Sequence, residues 1–279
     1  MQPVLSHIQA KPLLAARERG ETAVSTSLDL GIKTAVLSLT PTHLRLPDGQ
    51  QLAWAQVEEI AASENSCYLV EDDDIHKIQF FSEAFNRAYS LYPTSSAPTM
   101  LVAGFPMHRI KDTDPWRDTQ AKIQAVQPMG NVLDCNMGLG YTAIQAAERA
   151  DHVTTIELDP TVVEVCRCNP WSQPLFDNPK ITRLLGDSFD VVETMADGRF
   201  SCIIHDPPTF SLAGHLYSAD FYRELWRLLK PKGRVFHYIG DPDSRSGRTV
   251  TRGVVRRLQE VGFRQVKPAP RAFGVVAYK

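Results

Sequence analysis

Residues 131–141 read Asn-Val-Leu-Asp-Cys-Asn-Met-Gly-Leu-Gly-Tyr, a short apolar run that passes through a glycine turn into the helical sequence Tyr141-Thr-Ala-Ile-Gln-Ala-Ala147. A strand that feeds directly into a helix is followed by a parallel strand, because the helix carries the chain back along the sheet. The pattern then repeats. Strands are predicted at 131–135, 153–157, 181–185, 201–205, 233–239 and 273–278, and helices at 141–149, 160–168, 188–196, 219–229 and 250–261. Short apolar strands alternating with helices predict an α/β fold with a doubly wound, mostly parallel sheet. In such sheets ligands sit at the carboxyl ends of the strands, near the point where strand order reverses.

The first hundred residues follow another pattern. Thr34–Thr40, Thr42–Leu46, Cys67–Val70 and Lys77–Phe81 are strand-like, Trp54–Ala62 is helical, and Glu71-Asp-Asp-Asp74 reads as a solvated acidic turn. Pro93-Thr-Ser-Ser-Ala-Pro98 is loop-like, so the boundary is expected between 93 and 112. This gives a smaller β-rich domain at 1–100 and the α/β domain at 101–279. Asp114-Pro115 is a helix start, with Trp116, Thr119, Ile123 and Val126 following at helical spacing.

Bulk properties exclude several classes. The chain has 279 residues, 43% hydrophobic and 22% charged, which suits a globular protein with a sizeable core. No apolar run has the length of a membrane span, and Met1–Gly20 lacks the apolar stretch of a signal peptide, so a cytoplasmic protein with no membrane partner is expected. Cys67, Cys135, Cys166, Cys168 and Cys202 show no paired spacing and are read as buried thiols rather than metal ligands; no metal is expected. The net charge of −2 conceals an asymmetry: residues 222–279 hold fourteen Lys/Arg against four Asp/Glu. Arg245, Arg248, Arg252, Arg256 and Arg257 lie on or before the last predicted helix, and Arg248, Arg252 and Arg256 form an i, i+4, i+8 row. Such a row suits RNA phosphates, and equally a solvated helix face.

Three acids extend the glycine turn into a cofactor site. Asp134 ends the first strand and precedes Gly138 and Gly140, whose freedom lets backbone approach a ligand. Glu157 closes the second strand, where a carboxylate can take both hydroxyls of a ribose. Asp187, in Leu185-Gly-Asp-Ser188, closes the third, within reach of an adenine edge. On these motifs residues 104–279 resemble the class I S-adenosylmethionine-dependent methyltransferases, which implies a Rossmann-like, seven-stranded sheet and S-adenosyl-L-methionine as cofactor. The resemblance assigns the methionine end to Asp134, Gly138 and Gly140, the ribose to Glu157 and the adenine to Asp187, with Asn136, Tyr141 and Ser188 counted among the cofactor-binding residues. Asn136 stands where that family often has glycine. Met107-His-Arg109, Asp114-Pro-Trp116, Gly138–Ala143, Asn169-Pro-Trp-Ser172 and Phe210–Gly214 also resemble a group of predicted methyltransferases common in archaea.

The fourth strand ends in His205-Asp206-Pro207-Pro208-Thr209-Phe210. It resembles the Asp-Pro-Pro-aromatic motif of methyltransferases acting on base nitrogens. An Asp carboxylate and a proline carbonyl can accept the N–H bonds of an aromatic amine, the prolines stiffen the turn, and Phe210 can stack on a base. The leading expectation is therefore methylation of an RNA base nitrogen, with Asp206, Pro207, Pro208 and Phe210 as the catalytic set. The alternative is an aminopropyltransferase of the spermidine-synthase type, which shares the fold and pairs decarboxylated S-adenosylmethionine with an acidic amine site. Methylation of protein or small molecules is a further reading, and a non-catalytic binding scaffold another. His205 points to the opposite face of the strand and is expected in the core. Phe105–Arg109 and Leu212–Ser218 are loops that could wall the pocket, although connection and packing are favoured for both. The N-terminal segment is open to three roles: an RNA-binding module, a shield over the pocket, or a homodimer interface.

Overall fold

In the computed structural model, which describes residues 2–210, 212–241 and 244–279, the predicted alternation forms a seven-stranded sheet. Its strands are β1 (Asn131–Asp134), β2 (His152–Glu157), β3 (Ile181–Leu185), β4 (Phe200–His205), β5 (Leu229–Tyr238), β6 (Gln265–Ala269) and β7 (Gly274–Tyr278). They lie in the order β3-β2-β1-β4-β5-β7-β6. The first five pair in parallel, and β7 runs antiparallel between β5 and β6. Strand order reverses between β1 and β4, which makes their carboxyl ends the switch point. This is the Rossmann-like, mostly parallel sheet expected from the sequence.

The central strands read as continuous apolar runs because both faces are covered. Val132, Leu133, Cys202, Ile203, Ile204 and Phe236 have no exposed surface. The helices supply the cover. In α1 (Pro115–Val126), Ile123 and Val126 are buried. In α4 (Ala219–Leu228), Phe221, Tyr222, Leu225 and Leu228 fall on one side at helical spacing, and Ser218 caps the first turn by accepting from Phe221 N at 3.1 Å. In α5 (Arg245–Glu260), Val254 and Leu258 join the same core. Two shorter helices follow the ligand-side strand ends: α2 (Tyr141–Ala147) after β1 and α3 (Ser188–Glu193) after β3.

Two elements differ from the sequence expectation. Strand β6 is not among the predicted strands; Pro268 lies within it, and it is an edge strand, where a missing N–H costs no ladder bond. The helix His7–Glu18 was also not anticipated, since Pro12 lies inside it. It is nucleated by a capping box in which Ser6 Oγ accepts from Ile8 N and Ser6 N donates to Gln9 Oε1. Ala10, Leu13 and Ala16 then bury one face.

The chain divides into two compact units. One is the chain up to Trp116 together with Thr161–Gln173; the other is Arg117–Pro160 with Pro174–Lys279. The sequence put the break within 93–112, but Thr99–Val102 and Phe105–Pro106 still belong to the four-stranded sheet that begins at Gln79–Ser82. The first unit also holds Val4–Ser6, Cys67–Glu71 and Asp74–Lys77 in a three-stranded sheet, and Ala23–Ser27, Thr34–Leu39, His43–Arg45 and Gln51–Ala53 in a second four-stranded one. The acidic run resolves as a two-residue hairpin turn, with Asp72 and Asp73 both at positive φ.

Gly140 N-caps α2 at φ +78°, and a Cβ there would lie 2.2 Å from Leu175 Cδ1. Gly140→Ala is therefore expected to destabilise the second unit by about 2 kcal/mol or more, through strain and displacement of Leu175. Urea denaturation of both proteins checks this.

Candidate active site

The glycine turn is built on buried carboxylates. Asp134, at the end of β1, has no exposed surface; Oδ1 accepts from Thr142 Oγ1 at 3.1 Å and Oδ2 from Thr155 Oγ1 at 2.7 Å. Burial pushes its pKa up to about 7, against the pull of the two hydroxyls. Gly138 (φ +51°) and Gly140 let the chain reverse within three residues, closed by Gly140 N donating to Met137 O at 2.7 Å. Glu157, half-buried at the end of β2, accepts from Gly138 N at 2.9 Å and from Asp159 N at 3.0 Å. Burial also raises Glu157 to about 7, although backbone amides oppose it. Asn136 leaves Oδ1 buried without a hydrogen-bond partner. Asp187 caps α3 through Phe189 N at 2.7 Å, and its second oxygen lies 3.2 Å from His215 Nε2.

These contacts sort the expected cofactor residues. Glu157 and Asp187 are partly accessible at the switch-point ends of β2 and β3. Tyr141 and Ser188 are buried, and the Ser188 hydroxyl donates to the Cys135 carbonyl, so both hold the turn from within. Asp134 organises it through the two threonines. A nucleoside fits this frame: a half-buried carboxylate keeps lone pairs for ribose hydroxyls, while the Asn136 oxygen, without a hydrogen-bond partner, suits a donor on the rest of the ligand.

The Asp206-Pro207-Pro208 turn holds a cluster that sequence reasoning missed. Asp206 Oδ2 is 2.5 Å from Lys122 Nζ, and Lys122 Nζ is 3.0 Å from Asp118 Oδ2. Lys122 also lies 4.6 Å above the ring centre of Tyr238. Lys122 and Asp118 are 3% and 2% exposed, so this is a buried ion cluster, not a surface pair. Burial alone would lower the Lys122 pKa, but Asp206 and Asp118 outweigh it and hold the ammonium charged. Burial raises Asp206, and Lys122 offsets part of that rise. Asp118 and Lys122 are four apart on α1, a spacing that in sequence reads as an ordinary surface pair. Their burial beside the apolar stripe is what sets them apart.

The rest of the turn is braced from behind. Tyr217 OH donates to the Pro208 carbonyl at 3.0 Å, and its ring meets Phe210 edge-on at 5.4 Å. Phe210 is half exposed. His205 lies in the core, as expected, with Nε2 3.0 Å from the Leu216 carbonyl. A carbonyl only accepts, so Nε2 carries the proton and Nδ1 is bare; Nδ1 is buried without a partner. His237 meets it edge-on at 4.5 Å, with Nδ1 toward the Tyr238 carbonyl and Nε2 accepting from Tyr222 OH at 2.7 Å. Burial lowers both imidazole pKa values, His205 to about 3, so both are neutral. Leu212–Ser218 thus contributes contacts to the site through His215 and Tyr217. The loop Phe105–Arg109 belongs to the N-terminal unit, with His108 Nδ1 3.0 Å from Thr99 Oγ1.

Outside the site, Arg248, Arg252 and Arg256 are exposed on α5, Arg256 pairs with Glu260 at 3.5 Å, and Arg257 is half-buried. The side chain of Arg245, and the whole of Ser211 in the Phe210–Gly214 phrase, lie outside the described residues. Cys67, Cys135, Cys166 and Cys202 are buried free thiols and Cys168 is half-buried. Among the described residues no helix is long and apolar enough to cross a membrane.

Comparison with known proteins gives this geometry a context. The model of the spermine/spermidine synthase domain matches residues 138–270. The uncharacterized protein MJ1233 of Methanocaldococcus jannaschii is 43% identical over 238 residues, covering 84% of this chain and 81% of that protein. Polyamine aminopropyltransferase 1 of Streptomyces coelicolor is 32% identical over 111 residues, covering 38% of this chain and 21% of that enzyme. The crystal structure of spermidine synthase from Thermotoga maritima superposes with a TM-score of 0.56 at 17% identity, covering 72% of this chain and 70% of that one, a likeness of fold. Identity over most of both chains makes this chain a member of the same family as MJ1233.

The comparisons overturn methylation of an RNA base nitrogen as the leading function. Both the matched domain and the named enzyme belong to aminopropyl transfer. The turn has a physical counterpart to this correction. The Pro208 carbonyl, an acceptor of the kind invoked for an aromatic amine, is taken by Tyr217.

A raised carboxylate binds its proton more tightly in the folded chain than in the unfolded one. The stability contributed by Asp134 is therefore complete below the unfolded pKa near 4 and is lost as pH rises through about 7. Asp134→Asn is expected to flatten the fall in stability between pH 4 and pH 8, by up to about 4 kcal/mol. Denaturant titrations of both proteins across that range measure it.

Proposed function

We propose that this member of the MJ1233 family is an aminopropyltransferase, moving the aminopropyl group of decarboxylated S-adenosylmethionine onto an amine acceptor. One observation carries the reading. The end of β4 already binds an alkylammonium: Lys122 Nζ sits between Asp206 and Asp118 and over the Tyr238 ring. Two carboxylates and an aromatic face are what an amine acceptor needs. The match over 138–270 and the similarity to a polyamine aminopropyltransferase support the same class.

In this reading Glu157 holds the donor's ribose and Asp187 its adenine, with the glycine turn beneath the sulfonium. The sulfonium supplies an activated carbon. The acceptor nitrogen attacks the methylene carbon beside it; the new C–N bond forms as the C–S bond breaks, and that bond's electron pair stays on sulfur, leaving methylthioadenosine. The proton lost by the amine passes to Asp206. Burial makes Asp206 a stronger base than an exposed aspartate, while Lys122 keeps it ionised to receive the proton. Pro207 and Pro208, with Tyr217 on the Pro208 carbonyl, hold the turn rigid, so the carboxylate is in place before the amine arrives.

Incubation with decarboxylated S-adenosylmethionine labelled in its aminopropyl chain, together with a panel of primary amines, tests this. Equimolar labelled amine and methylthioadenosine are expected. Asp206→Asn should cut kcat by about 10²–10⁴-fold and spare donor binding, whereas Glu157→Ala should weaken donor binding. Donor consumption in no amine mixture, or full turnover by Asp206→Asn, would remove the assignment.

A further inference from the structure

Lys122 is a costly residue in its position. An ammonium withdrawn from water is tolerated only when fully paired, and α1 spends Asp118 on it, one turn away. The fold itself does not require a charge there, since Ile123 and Val126 on the same helix are apolar. The contacts of Asp206 indicate what the charge does. Its Oδ2 is fixed on Lys122, 19% of the side chain stays exposed, and Oδ1 makes no hydrogen bond among the described residues. We propose that Lys122 is a positioning residue for the transfer reaction: its ammonium pins Asp206 by one oxygen and leaves the other to meet the acceptor amine.

This rests on the aminopropyltransferase reading for the reaction, but not for the geometry. The groups that face the cluster are Asp118 and Lys122 from α1, Asp134 from β1, Tyr217 from the loop after β4, and Tyr238 from β5. Two of them, Asp118 and Asp134, are carboxylates, and Lys122 is the cation among them. Without it Asp206 faces Asp118 and Asp134 uncompensated, takes up a proton at higher pH, and loses the contact that fixes its rotamer.

The test compares wild type with Lys122→Met and with Asp118→Asn/Lys122→Met. The double variant removes the ammonium and one carboxylate together, so no extra buried charge is left to unfold the chain. The Asp206 carboxyl is followed by carbon-13 NMR from pH 3 to 9, its resonance identified by its loss in Asp206→Asn. The proposal expects its midpoint to move up by about one to three pH units in the double variant. The acid limb of kcat should move with it, donor affinity should stay within about twofold, and Lys122→Arg should restore part of the wild-type profile. An unmoved midpoint and acid limb would overturn the proposal. The carboxyl titration needs no turnover. A wild-type protein that transfers no aminopropyl group would sink the reaction, and the midpoint alone would then decide whether Lys122 governs Asp206.

Discussion

A parallel strand buried on both faces has only its ends at which to place polar chemistry, and this constraint organises the molecule. Val132–Leu133, Cys202–Ile204 and Val235–Phe236 are apolar because helices cover them on either side. Asp134, Glu157 and Asp206 each stand at the carboxyl end of such a strand, and Asp187 follows β3. Burial that stabilises the sheet also raises Asp134, Glu157 and Asp206 above the ordinary carboxylate range. Packing and reactivity therefore share one origin.

The same constraint explains what the sequence made legible. Apolar runs, turn glycines and strand-end acids are local signals, and they placed the sheet and four of its acids correctly along the chain. Lys122 was invisible because its meaning depends on residue 206, eighty-four positions away. Asp118-x-x-x-Lys122 is indistinguishable in one dimension from a solvated helix pair. Tyr217 was read mainly as loop packing, since nothing local announces a hydroxyl bound to Pro208. Strand β6 and the helix His7–Glu18 were hidden for a related reason. A proline argues against each locally, and an edge position or a capping box overrides it.

The functional correction follows similar lines. Asp-Pro-Pro at the end of a fourth strand describes a stiff turn with a carboxylate, and both an aromatic amine and an alkyl amine can use such a turn. What separates them is the company the carboxylate keeps. Asp206 shares a buried ammonium with Asp118 beneath an aromatic ring, which is an environment for a cation. No motif spells out that environment, because α1, β4 and β5 assemble it only on folding.

The two edge-on imidazoles behind the turn give the site a direction. His205 offers Leu216 its one proton and has a bare, dry Nδ1, and His237 spends both nitrogens on Tyr222 and the Tyr238 carbonyl. Burial lowers the pKa of both rings, so the rear of the turn is a poor route for protons. In the transfer proposed above, a proton taken up by Asp206 would leave by the side of that carboxylate still open to solvent, away from the imidazoles.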